Sequence, residues 1–188
     1  MKEETTALRL PRNRFLPELS RTLACIFVIS VIAVTALIAV PARAKDEATP
    51  LAIVEFNYSD TSGEPANQLA LHQAWLAAFM QSIRDDLTRG GKYRLVTLAC
   101  GAAPCSITQT PSAEIIDKAR AAGARLLLFG GIHKMSTLIQ WAKVQAVDLK
   151  TEKLVFDRLL TFRGDTEEAW RRAEAFVVEQ MAALDVAK

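Results

Sequence analysis

The segment Arg125–Ile132 places the strongest constraint on the fold of this chain. It reads Arg-Leu-Leu-Leu-Phe-Gly-Gly-Ile, a short apolar run that follows Gly123 and ends near the pair Gly130-Gly131. A run of this length without polar alternation is typical of a strand buried on both faces, in the middle of a mostly parallel sheet. A buried helix could share the composition, but the paired glycines argue against one.

Four more strand-like segments surround this central run, two on each side of it in sequence. They are Leu51–Phe56, Tyr93–Leu98, Ile139–Leu149 and Leu154–Phe162. The last two are separated only by a short polar turn, which permits antiparallel neighbours in a hairpin. Strands joined by helices are expected to be parallel, with right-handed crossovers.

Three segments carry apolar residues at the three- and four-residue spacing of helices. They are Gln68–Arg89, a segment between Thr110 and Gly123, and one that runs from Asp165 to about Leu184 with Trp170 on its buried stripe. His72 lies on the apolar stripe of the first segment and is expected to be partly buried and hydrogen-bonded. Lys134–Ser136 is expected to form a turn, and Asp165 is expected to be the N-cap of the last helix. The predicted fold is therefore α/β, a mixed five-stranded sheet in the order βαβαβββα, covered by helices and preceded by a signal peptide.

Residues 1–44 have the organisation of a secretory signal peptide, followed by a single α/β domain at 45–188. A basic N-terminal region precedes the uncharged stretch Leu23–Val40, and Ala42-Arg43-Ala44 supplies the small residues of a cleavage site. Cleavage after Ala44 would release the chain to the periplasm or exterior without a membrane attachment. The alternative is an uncleaved anchor, because the apolar stretch is just long enough to span a bilayer.

The charge of the predicted mature chain excludes two classes of partner. Residues 45–188 carry 17 Lys and Arg against 18 Asp and Glu, a net charge of −1. Nucleic acids and anionic membranes are normally bound by an excess of positive charge, which this domain lacks. We therefore expect neither as a partner.

Two cysteines, Cys100 and Cys105, remain after cleavage. An even pair in an exported chain predicts a disulfide. A redox or metal-binding pair is the alternative, although thiol–disulfide catalysts favour a closer pair with a helix starting beneath the first sulfur.

Polar residues follow two of the predicted strands and form a possible binding loop. Ligands of α/β proteins bind at the carboxyl ends of parallel strands. Asp, Thr and Ser also form ordinary turns, so both readings stay open. No metal-spaced ligands, phosphate loop or nucleophile motif accompany them, and we predict no cofactor, metal or catalytic residue. The loop residues are Asn57, Asp60, Thr61, Ser62 and His133.

Several stretches in this order resemble those of small exported bacterial domains similar to the N-terminal domain of TolB. Within that group the chain looks like a family of uncharacterised secreted proteins known only as a domain of unknown function. The resemblance implies an exported, non-enzymatic accessory or interaction module and brings no catalytic residues. One departure is Glu152, where such hairpins usually have glycine. The stretches are Leu51–Phe56 with Asp60-Thr61-Ser62, Tyr93–Thr97, Cys100 with Cys105, Gly123–Ile132, Val147–Val155 and Phe162–Trp170.

Three hypotheses about function follow. The first is a non-catalytic periplasmic accessory protein that docks on another periplasmic or envelope protein through its sheet edge or strand-end loops. The second is a small-molecule-binding protein or enzyme that uses the loops near Asp60 and His133. The third is a redox protein that uses Cys100 and Cys105. An open sheet edge would favour the first, and a deep pocket with converging polar groups would favour the second.

Overall fold

A computed structural model of the protein describes residues 47–101 and 104–186. These residues contain six strands and three helices. The α/β class and the antiparallel hairpin predicted from the sequence are confirmed. No helix within these residues is long and apolar enough to cross a membrane. The elements are β1 (Thr49–Ile53), β2 (Asn57–Asp60), α1 (Leu69–Arg89), β3 (Tyr93–Val96), α2 (Ser112–Ala121), β4 (Leu126–Lys134), β5 (Ile139–Asp148), β6 (Lys153–Arg163) and α3 (Glu167–Ala183).

The sheet is built around β4, the strand that contains the long apolar run. The strand order is β3-β1-β4-β5-β6, and β2 pairs with β4 outside this path. Strand β1 is parallel to both β3 and β4, whereas β4, β5 and β6 form an antiparallel meander. The mixed sheet predicted from the sequence is thus observed, with β6 at one edge and β3 at the other.

Strand β2 is the main departure from the predicted order, because Asn57–Asp60 was predicted to be part of a loop. It pairs in parallel with the second half of β4, from Asn57 beside Gly131 to Asp60 beside Lys134. Strand β1 pairs with the first half of β4. A strand of four residues shows too little alternation to be recognised, and its Asp and Ser residues favour turns.

The glycine pair in β4 serves close packing and does not end the strand, which continues to Lys134. A Cβ atom on Gly130 would collide with the Phe56 ring and the Lys143 carbonyl. One on Gly131 would collide with the Asn57 side chain. Glycine inside a strand marks such close approaches of neighbouring chain.

The two faces of the sheet are covered unequally. Helices α1 and α3 cover one face over a large core that includes Leu51, Ile83 and Trp170. Helix α2 covers the other face over a smaller core that includes Val54 and Ile115. Because α2 has only 10 residues, part of β5 and β6 stays uncovered on its side.

The loop between β3 and α2 contains the predicted disulfide between Cys100 and Cys105, whose Cα atoms lie 5.1 Å apart. Cys105 is buried, and the next residue, Ser106, forms a parallel bridge with Glu55. The disulfide therefore closes a loop that is fastened to the sheet.

Candidate functional site

Four of the five predicted loop residues meet at the carboxyl ends of β2 and β4. Thr61 Oγ1 lies 2.8 Å from His133 Nε2. The Ser62 backbone N–H donates to Asp60 Oδ1 over 2.8 Å. Asn57 lies at the start of β2, beside Gly131, and is separated from this group by the length of the strand.

The Asp60 carboxylate is occupied by local hydrogen bonds. Partial burial alone would raise its pKa, but hydrogen bonds from Ser62 and the charge of Lys134 outweigh this and lower the pKa of Asp60. The Tyr58 hydroxyl donates to the other oxygen, at 3.4 Å. Asp60 thus forms the turn that its residue type favours.

A buried ionic cluster, here called the Lys134 cluster, lies directly behind these residues. The Lys134 side chain is 0% exposed. Its Nζ donates to Glu64, Gln68 and Asp165, each over 2.6 Å. Asp165 in turn accepts from Gln140 at 3.2 Å and lies 2.6 Å from His72 Nε2. The cluster consists of Glu64, Gln68, His72, Lys134, Gln140 and Asp165.

The elements that carry the Lys134 cluster explain its structural role. Lys134 ends β4, Gln68 immediately precedes α1, and Asp165 precedes Thr166, the N-cap of α3. Burial alone would lower the pKa of Lys134, but hydrogen bonds to Asp165 and Glu64 outweigh this and raise it. The ammonium group is charged, paired and enclosed, so it fastens two helices to the end of β4.

The sequence identified one member of this cluster and missed the others. His72 was predicted to be partly buried and hydrogen-bonded. Its contact with Asp165 confirms the hydrogen bond, but its side chain is fully buried. Lys134 was assigned to a turn and Asp165 to an N-cap, a role that Thr166 fills by accepting from the Ala169 backbone N–H. Two features of the sequence could have identified the missed residues. One is a lysine at the end of an apolar strand, and the other is an acidic residue just before a capping threonine.

The edge strand β6 and helix α3 enclose an open groove, here called the β6–α3 groove, of about 350 Å³. Its apolar lining includes Leu160 and Phe162 of β6 and Phe176 of α3. Beyond the groove, Leu154 and Leu159 of the same strand are 48% and 58% exposed. This edge of the sheet therefore presents apolar side chains beside a strand that pairs on one side only among the described residues.

A smaller cavity of about 80 Å³ lies between α1 and α3 and is lined by Phe79, Trp170 and Glu174, among others. Glu174 is 3% exposed, and its Oε1 has no hydrogen-bond partner among the described residues. Burial, together with repulsion from Asp86, raises the pKa of the Glu174 carboxyl to about 7. The Glu174 carboxylate therefore destabilises the core when it is ionised.

We expect Glu174→Gln to stabilise the protein by about 2 kcal/mol at pH about 8 and to have little effect at pH about 4. The native state binds the Glu174 proton more tightly than the unfolded chain does, so the stability of the native protein falls as the pH rises from 4.5 to about 7. Urea unfolding at the two pH values measures the difference. An equal gain at both would attribute the effect to packing instead of ionisation.

No group of three or more His, Cys, Asp and Glu side chains in residues 47–101 and 104–186 is placed to hold a metal ion. The described polar residues at the strand ends are mostly engaged with one another. The polar side chains at this edge of the sheet therefore serve mainly to hold the fold together.

Comparison with known proteins identifies the family to which this α/β domain belongs. Residues 49–181 match the model of the family DUF3280, described as "Protein of unknown function (DUF2380)", and the chain belongs to this family. The prediction that the chain belongs to an uncharacterised family known only as a domain of unknown function is thereby confirmed. Comparison with curated protein sequences finds no match.

Solved structures similar to this chain include three from different bacteria. TolB from Acinetobacter baumannii has 20% identity and a TM-score of 0.48, and the match covers 73% of this chain but only 28% of TolB. The PelC dodecamer protein from Paraburkholderia phytofirmans has 12% identity and a TM-score of 0.45, with 76% and 91% covered. The LpoB C-terminal domain from Escherichia coli has 16% identity and a TM-score of 0.43, with 60% and 81% covered.

Proposed function

We propose that this protein is a non-catalytic accessory protein of the periplasm or cell envelope that docks on a protein partner through strand β6. The supporting observation is that β6 is a long edge strand. It has 11 residues and, within the described part of the chain, pairs with β5 alone. Long edge strands are normally shielded, and an open one is a ready template for strand addition.

The polar residues at the carboxyl ends of β2 and β4 support a small-molecule site less well than β6 supports docking of a protein. Lys134 is enclosed, and Thr61 lies within hydrogen-bond distance of the His133 ring. An apolar cavity of about 160 Å³ beneath α2 is smaller than the roughly 300–1,000 Å³ of typical ligand pockets. The redox hypothesis gains little either, because Cys105 is buried and bonded to Cys100.

Docking at β6 can be tested by placing a photocrosslinking amino acid at position 159 in the full chain, expressed in its native host. Leu159 is exposed on β6, and Leu71, exposed on α1, is the matched control position. We expect one discrete crosslinked adduct from position 159 and none from position 71. Adducts from position 133 and not from 159 would place the contact at the strand-end loops and contradict the proposal.

Export is part of the same proposal, and the signal peptide at residues 1–44 lies outside the described residues. We expect the intact mass of the exported protein to correspond to a chain that starts at Lys45, because Ala42-Arg43-Ala44 supplies the cleavage site. Replacing Ala44 with an arginine should block this processing. Recovery of the full-length wild-type chain in the membrane fraction would show a retained anchor instead.

A further inference from the structure

The β6–α3 groove has one apolar wall from the strand and another from the helix. Leu160 and Phe162 are two positions apart on β6 and therefore project to the same face. Phe176 of α3 is exposed on the opposite side, and Ala173 is a small buried residue on the same helix. A strand added beside β6 would direct alternate side chains to this face of the sheet, where the groove lies.

Positive charge borders the same groove. Arg163 and Arg172 line it, and the side chain of Arg163, unlike its backbone, makes no hydrogen bond or ion pair within residues 47–101 and 104–186. Arg172 contacts Glu168 at 3.3 Å, and both of these side chains are largely exposed to solvent. Arg158 lies over the Phe156 ring, 5.3 Å from its centroid, on the same strand. Arginine at such a rim suits carboxylates, which it can bind with two parallel hydrogen bonds.

The same charges disfavour a second copy of this chain as the occupant. Two β6 edges paired about a two-fold axis would bring identical surfaces together. Arg158 and Arg163 of both copies would then share one short interface, and like charges across paired strands are destabilising. The edge is therefore suited to a strand of opposite charge.

From this geometry we infer that the partner contributes an extended segment whose groove-facing side chains are apolar in the middle and Asp or Glu at the ends. The segment adds to β6 as an antiparallel or parallel strand. Its apolar side chains enter the β6–α3 groove, and the carboxylates on the same face pair with Arg163 and Arg172 at the rim. This inference rests on the proposed docking at β6 and specifies the chemistry of the partner.

The test uses the exported protein and three labelled synthetic peptides, with binding followed by fluorescence anisotropy. The first peptide has valine at the central groove-facing positions, glutamate at the outer ones and serine at the positions between them. The second replaces glutamate with lysine, and the third is the first with every central backbone nitrogen methylated. We expect the glutamate peptide to bind about tenfold or more tightly than the lysine peptide. The methylated peptide should not bind, because strand addition depends on backbone hydrogen bonds.

Protein variants locate the binding to the groove. Arg163→Glu and Arg172→Glu should each weaken binding of the glutamate peptide about fivefold to tenfold. Arg94→Glu, at an exposed position of β3 on the other sheet edge, is the matched control and should leave peptide binding unchanged. Circular dichroism checks that the surface variants keep the native fold.

The outcomes separate this inference from the proposed function. A lysine peptide that binds as well as the glutamate peptide would overturn the acidic-segment inference, and an adduct from position 159 would still support docking at β6. Absence of that adduct, together with no binding of either peptide, would overturn both. Concentration-dependent dimers that Leu159→Lys abolishes would identify a second copy as the occupant and also overturn the inference.

Discussion

Replacing Trp170 with alanine is expected to lower the free energy of unfolding by about 3–5 kcal/mol. Its side chain is 2% exposed, as the predicted buried stripe of α3 requires. Deleting it would leave a large cavity where α1, α3 and the sheet meet, and neighbouring rings cannot collapse fully into that space. Ring centroids within 6.2 Å of Trp170 belong to Tyr58, His72, Trp75, Phe79 and Phe162.

Urea unfolding measures this loss as a lower midpoint with a similar slope. Trp170→Phe should retain most of the stability, because it keeps a ring and removes an indole N–H that has no partner in the described residues. Trp141→Ala is the matched control, since Trp141 is exposed on the side of β5 that α2 leaves uncovered. An unchanged midpoint for Trp170→Ala with loss of partner crosslinking would show that Trp170 acts in recognition and does not stabilise the core.

Replacing Lys134 with methionine should destabilise the protein by about 3 kcal/mol. Methionine preserves much of the volume but removes the charge on which Glu64, Gln68 and Asp165 converge. Two carboxylates would then lie close together with little access to water, which is costly. Because the pKa of Lys134 is raised above its usual 10.5, the contribution of its charge is fully present below about pH 10.5 and is lost only as the pH rises through the higher native value.

Lys143→Met provides the control for this experiment. Lys143 pairs with Asp157 on the open surface of the sheet, where an ion pair contributes about 1 kcal/mol or less. We therefore expect the midpoint of unfolding in urea at neutral pH to fall much further for Lys134→Met than for Lys143→Met. Equal effects would mean that solvent screens the Lys134 cluster as well as it screens the surface pair.

The elements with long apolar patterns were predictable from sequence. The run Leu126–Leu128 is buried on both faces and forms the centre of the sheet, as its composition indicates. The short turn between β5 and β6 required a hairpin, which the structure has despite Glu152 adopting a positive φ of 57° where glycine is usual. Such features depend on neighbours in the chain, so local pattern contains the necessary information.

Features that depend on distant residues could not be predicted in the same way. Strand β2 is defined by its pairing with β4, and nothing in its four residues requires that pairing. Lys134 and Asp165 are far apart in sequence, so their contact follows from the topology alone. The β6–α3 groove likewise requires the position of α3 against the edge strand. Sequence patterns predicted the fold, whereas side-chain convergence at its surface required the structure.

The parallel pairing of β1 with β4 makes folding a late event in synthesis. Helix α1, strand β3 and helix α2 all lie between these two partners, so their register cannot form until the second half of the chain is available. Contacts between such distant segments also form slowly, because a long loop must close first. A nascent chain without β4 can pair β1 only with β3 and has no complete core. A late-forming core is what the export proposed above would require, because a translocation channel accepts an unfolded chain.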